Sequence, residues 1–271
     1  MEIIESRQNA LIKERVKLQQ KKYRQKAGRF LVEGIRLVEE AVSAGRLTEV
    51  FVEESLFYSE RGEELFHRIE KSSVACYRVN RDILRTLAET ESPQGIVGVA
   101  RQERVDLNEI KLTKGLILIL DGIQDPGNLG TIWRTAWAAG VDALFCLPGT
   151  VDPYNGKTVR ATMGGIFHVP VVAGTETEWD SLHQWCTAHG FQLVAGDLGA
   201  QQYHYEVSYQ ERVALVIGNE AQGLLTIQGE ELDERVKIPL MCEAESLNAA
   251  VACGILIYEV IRQRRGIVKD I

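Results

Sequence analysis

The sequence predicts two α/β domains, the larger of them C-terminal and built on a parallel sheet covered on both faces. Three observations carry this. Short apolar strands alternate with helix-length segments along nearly the whole chain. The strands beyond residue 115 are continuous apolar runs, as strands buried on both faces are. A polar, charged stretch, RQERVDLNEIKLTK at 101–114, separates the two series like a linker. The domains are accordingly drawn at 1–103 and 115–271, with 104–114 between them.

In chain order, residues 1–27 read as one polar, basic helix whose apolar stripe is Leu11, Ile12, Val16 and Tyr23. From Phe30 a strand-then-helix pattern repeats: FLVE precedes a helix over 36–44, TEVFVE one over 60–71, and VACYRV one over 81–89. GIVGVA at 95–100 closes the series. The second series has strands LILIL (116–120), ALFCL (143–147), HVPVV (168–172), FQLVAG (191–196), VALVIG (213–218) and RVKIP (235–239). Helical stretches fall between them near 129–139, 156–164, 178–189 and 221–226, with a long one from about 246 to 264.

At 271 residues, 45% hydrophobic and 25% charged, the chain has the balance of a globular protein that buries a real core. The net charge of −7 hides an asymmetry. Residues 1–30 hold nine Lys/Arg against three acids, a local balance of +6, which leaves −13 on the other 241 residues. A basic end on an acidic body suits a chain that meets a polyanion there, although a solvated helix face has the same composition. The five cysteines form no C-x-x-C pair, so neither a zinc site nor a disulfide framework is expected, and no metal. They read as small buried hydrophobes in a reducing compartment. No signal-peptide h-region is visible and the longest apolar run, near 249–258, is too short to span a bilayer. A cytoplasmic location without membrane attachment is expected.

Three segments of the second domain place small or polar residues directly after a strand, where open α/β sheets bind ligands. In LDGIQDPGNLGTIWRTAWAAG (120–140), Asn128 is positioned to cap the helix that follows, Gly127 and Gly130 allow close backbone approach, and Arg134 lies two turns in, within reach of a phosphate. In VIGNEAQGL (216–224), Gly218 ends a strand, Asn219 and Glu220 stand at the sheet edge, and Gly223 adds a flexible point. In IPLMCEAESLNAAVACGILIYEVIRQR (238–264), Ser246 is the expected N-cap of the last helix and Asn248 follows in its first turn. Between them, DPYNGKTVRATMGG (152–165) sets Lys157 and Arg160 on a glycine-flanked helix, a pattern for phosphate contact. Taken singly, each is also an ordinary capped turn or surface helix. None is a G-x-G-x-x-G turn or a Walker loop, which argues against a dinucleotide-dependent oxidoreductase or a P-loop enzyme.

Taken in this order, the segments resemble the SpoU (TrmH) family of RNA ribose 2′-O-methyltransferases, part of the SPOUT superfamily. DPGNLGTIWRTAWAAG is similar to the first family motif, IGNEAQGL to the second, and IPLMCEAESLNAAVA to the third. The intermediate pattern matches through Asp152, Asn155, Lys157, Arg160 and Gly164. SRQNALIKERVKLQQKKYRQKAGRFLVEG and SPQGIVGVA resemble the beginning and end of the substrate-binding module that precedes the catalytic domain in many members. The likeness covers nearly the whole chain. It departs from the family at Cys242-Glu243, where relatives usually carry two small residues, and at Ala249-Ala250, often Val-Ser.

The resemblance implies an α/β-knot catalytic domain, its mostly parallel sheet threaded as a trefoil knot, behind a smaller ribosomal-protein-L30e-like α/β domain. It implies S-adenosylmethionine as cofactor, held around Gly218, Asn219, Glu220, Gly223, Ile238, Leu240 and Leu247. Catalytic roles fall to Arg134, Asn128, Ser246 and Asn248. RNA contacts are expected from Lys13, Lys21, Lys22, Arg24, Lys157 and Arg160. Members act as homodimers with the active site at or near the interface. An arginine guanidinium holds its proton too firmly to be a base. Arg134 is therefore expected to clamp the phosphate beside the target ribose, with Asn128 and Ser246 orienting the hydroxyl. The expected reaction is methylation of a ribose 2′-hydroxyl, with 23S ribosomal RNA favoured over transfer RNA. A transfer-RNA enzyme, or a non-catalytic RNA-binding protein that kept the fold, are the alternatives.

Overall fold

The structure is a computed structural model and describes residues 1–91, 93–103, 105–173, 178–227, 229–243 and 245–265. The chain divides into two compact units. One comprises Met1–Glu103 with Tyr154–His168, the other Arg104–Pro153 with Val169–Ile271. The segment 154–168, which the strand order along the sequence places in the C-terminal domain, thus clusters with the N-terminal residues.

The first unit runs β1 (Glu2–Ile4), α1 (Ala10–Val16), α2 (Lys21–Ala27), β2 (Arg29–Glu33), α3 (Ile35–Ser43), β3 (Leu47–Val52), α4 (Glu60–Glu70), β4 (Ala75–Val79), α5 (Arg81–Leu87) and β5 (Ile96–Arg101). The strands form one mixed sheet in the order β1-β4-β3-β5-β2. Three of the expected strand–helix pairs are here with ends shifted by a residue or two. The single helix expected over 1–27 is not. Glu2–Ile4 pairs in parallel with Tyr77–Val79, and the helical part is broken by a 3-10 turn at Lys17–Gln19 and by Gln20, whose backbone is extended. Burial explains the break, because Ile4, Ile12 and Leu18 all enter one core with Phe51, Ile83 and Val97. A straight helix cannot send three residues at these spacings into one core while its first turn joins a sheet.

The second unit holds β6 (Leu116–Asp121), α6 (Pro126–Ala139), β7 (Ala143–Cys146), β8 (Val171–Ala173), α8 (Trp179–Ala188), β9 (Gln192–Gly196), β10 (Gln202–Tyr203), β11 (Val213–Gly218), β12 (Glu234–Lys237) and α9 (Ala249–Arg265); α7 (Gly156–Ala161) lies in the first unit. Its seven strands are ordered β10-β12-β9-β11-β6-β7-β8, and every pairing is parallel. Every residue of β6 is buried, as the unbroken run LILILD demands of a central strand covered on both faces. The short β10 went unseen because two residues carry no periodicity. The expected helix over 221–226 is instead a tight turn closed by paired backbone bonds between Asn219 and Gly223 (2.7 and 3.0 Å).

Register places the site. Gly218 at the end of β11 lies opposite Asp121 at the end of β6, so the loops leaving both strands emerge side by side. The opposite edge of the sheet is locked. Asp142 accepts from the backbone amides of Thr113, Lys114 and Gly115, and Arg264 donates to the carbonyls of Lys114, Gly115 and Glu211. Arg264 holds the last turn of α9 there, so that helix runs back across the sheet and starts at the loop edge.

Candidate functional site

The helix α6 begins at Asp125, not Asn128. Asp125 accepts from the Asn128 amide at 2.8 Å, and Pro126 occupies the first helical position. Capping by Asp125 releases the Asn128 side chain from the role expected of it. Asn128 Nδ2 donates to Glu220 Oε1 at 2.9 Å, and Asn128 Oδ1 accepts from Asn248 Nδ2 at 2.8 Å. Asn248 Oδ1 in turn accepts from the amides of Ala250 (2.9 Å) and Val251 (3.3 Å). Asn248, rather than Ser246, is therefore the N-cap of α9. The order of donors is forced: the amides of α9 need an acceptor, and the Glu220 carboxylate accepts only. A polarised line runs from the helix through two carboxamides to one carboxylate, drawing in one residue from each of the three segments that the sequence singled out.

Beside this line lies a cavity of about 320 Å³ at the carboxyl ends of β9, β11 and β12. Gly218, Asn219, Glu220, Gly223, Ile238, Leu240 and Leu247 all line it, and so does Ser246. The loop from β11 is folded tightly on itself. A Cβ at Gly218 would stand 2.5 Å from the Gly223 carbonyl carbon and 2.6 Å from its oxygen, so only glycine fits. Asn219 is buried and spends its side chain inside the fold, donating to Gly122 O (2.8 Å) and accepting from the amides of Ala221 and Gln222 (2.9 and 3.0 Å). It shapes the cavity wall. Ile217, Leu224, Ile238, Leu240 and Leu256 make an apolar lining, and Asp197, Lys237 and Glu220 place charge within it. The contribution of β9, through Gly196, Asp197 and Leu198, was missed. Its signal was present in the same form as the others, an apolar strand followed by Gly-Asp-Leu-Gly.

Arg134 is exposed and makes no hydrogen bond or ion pair with a described residue. Along an α-helix it stands ~9 Å from Asn128 and about 120° around from it. Within one chain, Arg134 is thus not brought to the Asn128–Glu220–Asn248 line, nor does it line the cavity.

The basic residues divide. Lys13, Lys21 and Lys22 are exposed, as is Lys157. Arg24 corrects an expectation: it is buried, with Nη1 donating to the carbonyls of Leu18 (2.9 Å) and Gln19 (2.7 Å), where it closes the 3-10 turn and cannot meet RNA. Arg160, also expected on RNA, forms an ion pair with Glu89 at 3.0 Å and approaches Glu33 at 3.6 Å. Both carboxylates belong to its own unit, so its charge is already matched. Arg15 and Arg29 likewise converge on the buried Glu49.

Burial pushes the thiols of Cys146, Cys186 and Cys253 up to about 12, while Cys242 is exposed beside the cavity loop. Arg262 holds the Glu259 carboxyl below its usual range against the desolvation that opposes it, with Gln263 assisting. Among the described residues no cluster of three or more His, Cys, Asp or Glu could hold a metal, and no helix is long and apolar enough to cross a membrane.

Comparison with known proteins gives matches to two family models. Residues 115–258 match the SpoU rRNA Methylase family, and residues 9–98 match the MRM3-like substrate binding domain. The chain is 37% identical over 262 residues to the 23S rRNA (guanosine(2553)-2′-O)-methyltransferase of Bacillus subtilis, covering 96% of this chain and 99% of that protein. It is 34% identical over 246 residues to the 23S rRNA (guanosine-2′-O-)-methyltransferase of Xanthomonas axonopodis, covering 86% and 96%. The crystal structure of an AdoMet-bound rRNA methyltransferase from Sinorhizobium meliloti superposes with a TM-score of 0.84 at 32% identity, over 96% of this chain and 97% of that one.

Proposed function

This chain belongs to the SpoU rRNA methylase family, and from that premise we propose that it transfers a methyl group from S-adenosylmethionine to the 2′-hydroxyl of a guanosine in 23S ribosomal RNA. The observation that carries this is the meeting, at one sheet edge, of the cavity on the 218–224 and 238–247 loops with the Asn128–Glu220–Asn248 line. The relatives named for guanosine 2′-O-methylation support the substrate, and the AdoMet-bound neighbour supports the cofactor.

The cavity suits that cofactor. Its size falls in the range of small-molecule sites, its lining is mainly apolar, and a few charged groups stand within it. Backbone of Gly218, Gly223, Ile238, Leu240 and Leu247 would hold the cofactor, with the tight Gly218–Gly223 approach keeping side chains out. When bound, S-adenosylmethionine supplies an electrophilic methyl group. The chain's own residues supply alignment and a place for the proton. Asn128 and Asn248, each fixed in one orientation, direct the ribose hydroxyl, and Ser246 lines the same wall. Of the three linked side chains only Glu220 can take a proton. Its Oε1 is held by Asn128, which leaves Oε2 for that role. Arg134 clamps the phosphate beside the ribose and stabilises charge that develops there.

The homodimer expected of the family gives Arg134 a setting. Val251 and Tyr258 on α9 are each 52% exposed, and Arg134 on the neighbouring helix α6 bonds to no described residue, which supports packing of a second copy over these helices in a cytoplasmic enzyme. The return of β12 beyond β9, followed by α9 packing on α6, supports the knotted threading. The mixed sheet of the first unit and its exposed Lys13, Lys21 and Lys22 support a substrate-binding role.

The test is to incubate the protein with methyl-labelled cofactor and total RNA from cells lacking it, then map the modified ribose. One 2′-O-methylated guanosine in 23S RNA is expected, with position 2553 of the Bacillus relative the first to examine. Label in transfer RNA would move the substrate class. Cofactor binding without transfer to any RNA would leave the non-catalytic reading.

A further inference from the structure

We infer that Asp121 is a positioning residue for the cofactor loop, holding residues 219–226 in their binding shape from beneath; this deepens the methyl-transfer reading above and rests on it. Asp121 ends β6, after five consecutive apolar residues, and is completely buried. A buried carboxylate at such a place is costly unless its hydrogen bonds offset the lost hydration. Its Oδ2 accepts from the backbone amides of Leu225 (2.7 Å) and Thr226 (2.9 Å), 104 and 105 residues further along the chain. Its Oδ1 is buried without a partner among the described residues, so the hold rests on one oxygen.

The contact sits where the cofactor loop leaves the cavity wall. Upstream, the loop is tied by Asn219 to Gly122 O, the residue after Asp121. Entry and exit of the loop are thus both fastened to one corner, Asp121-Gly122. The turn at this corner favours glycine. Gly122 has φ +78°, and a Cβ there would lie 2.4 Å from Leu225 Cδ1. An anionic acceptor makes stronger bonds to amides than a neutral one, which suits a loop whose backbone bonds, among the described residues, join Asn219 and Gly223. Asp121 lines no part of the cavity, so it acts through the loop and not on the cofactor.

The experiment compares wild type, Asp121→Asn and Asp121→Ala by calorimetric titration with S-adenosylmethionine, by amide hydrogen exchange in the cofactor-free protein, and by steady-state kinetics. The Asn variant keeps an acceptor oxygen but no charge. Asp121→Ala is expected to weaken cofactor affinity about tenfold or more, and Asp121→Asn about threefold. Exchange at the Leu225 and Thr226 amides should quicken in the same order. Because this loop carries Glu220 as well as the cavity wall, KM for the cofactor should rise and kcat should fall with it, in the order wild type, Asp121→Asn, Asp121→Ala. A purely structural role would lower stability without this rise in KM, the faster exchange confined to Leu225 and Thr226, or the partial rescue by Asn. Wild-type affinity in Asp121→Ala, or in Asp121→Asn should the Ala variant not fold, overturns the inference. Absence of binding to the wild-type protein would instead sink the functional reading itself.

Discussion

Asn248 donates its side-chain amide to Asn128 Oδ1 at 2.8 Å, joining the start of α9 to the start of α6 across 120 residues of sequence. Neither residue is free to turn. Asn128 gives its other end to Glu220, and Asn248 gives its carbonyl oxygen to the first amides of α9. Helix capping, a local stabilising device, here fixes the direction of a hydrogen-bonded line that crosses three loops.

Asn128 should therefore matter for turnover more than for binding. In Asn128→Ala the line is cut between Glu220 and Asn248, and we expect kcat to fall about 100-fold or more, the scale of losing one preorganised polar group. Cofactor affinity should change little, since Asn128 does not line the cavity. Rapid-quench methyl transfer beside calorimetric titration separates the two. A large loss of affinity with normal kcat would mean that Asn128 serves the cofactor loop instead.

For Arg134 the expectation is opposite in kind to that for a folded-in arginine. It bonds to no described residue, so Arg134→Lys should leave the melting temperature unchanged. The substitution keeps the charge and removes the bidentate fork. Turnover at saturating RNA should drop by about tenfold or more. Near-full turnover in the lysine variant would show that point charge suffices and that no phosphate clamp operates.

Much of this site was legible in the chain before the fold. Strand ends gathered on one edge of a parallel sheet pointed to a ligand site there, and the resemblance to the SpoU family named Gly218, Ile238, Leu240 and Leu247 within it. Capping was misread in both helices for a physical reason. A carboxamide early in a helix is a plausible cap, and the choice between Asp125 and Asn128, or between Ser246 and Asn248, depends on where the first helical turn closes. Asp125-Pro126 did carry the deciding signal, an N-cap followed by proline at the first position. The break in the N-terminal helix carried none, because the pairing of Glu2–Ile4 with β4 is a contact across more than 70 residues. Arg24 was misassigned because composition counts charge without showing where a guanidinium points.

The cysteines give a test of packing with a defined sign. Burial raises the thiols of Cys146, Cys186 and Cys253 to about 12 in the folded protein, against about 8.5 in an unfolded chain. A raised acid favours folding below the unfolded value, so this stabilisation is complete near neutral pH. It is lost progressively as pH climbs from about 8.5 toward 12, while the unfolded thiols ionise. Denaturation midpoints should fall over that interval, and less steeply in Cys253→Ala or Cys146→Ala. At pH 8, alkylation of native protein should mark the exposed Cys242 first and spare the three buried thiols. Slower labelling of Cys242 in the presence of S-adenosylmethionine would place the bound cofactor near this thiol.

Removing residues 1–27 is a poor way to ask whether the basic N-terminal region meets RNA. It would strip β1 from the sheet and take Ile4, Ile12 and Leu18 from the core, together with the Arg15–Glu49 pair. Replacing Lys13, Lys21 and Lys22 by glutamine alters only exposed charge. If each of the three neutralises a phosphate, the slope of log binding constant against log salt should become shallower by about 2. Cofactor affinity and melting temperature should hold. Arg24→Gln is the control, because its guanidinium caps carbonyls inside the fold. It should lower stability and leave the salt slope of the folded fraction as it was. An unchanged slope in the triple glutamine variant would move the RNA surface away from α1 and α2.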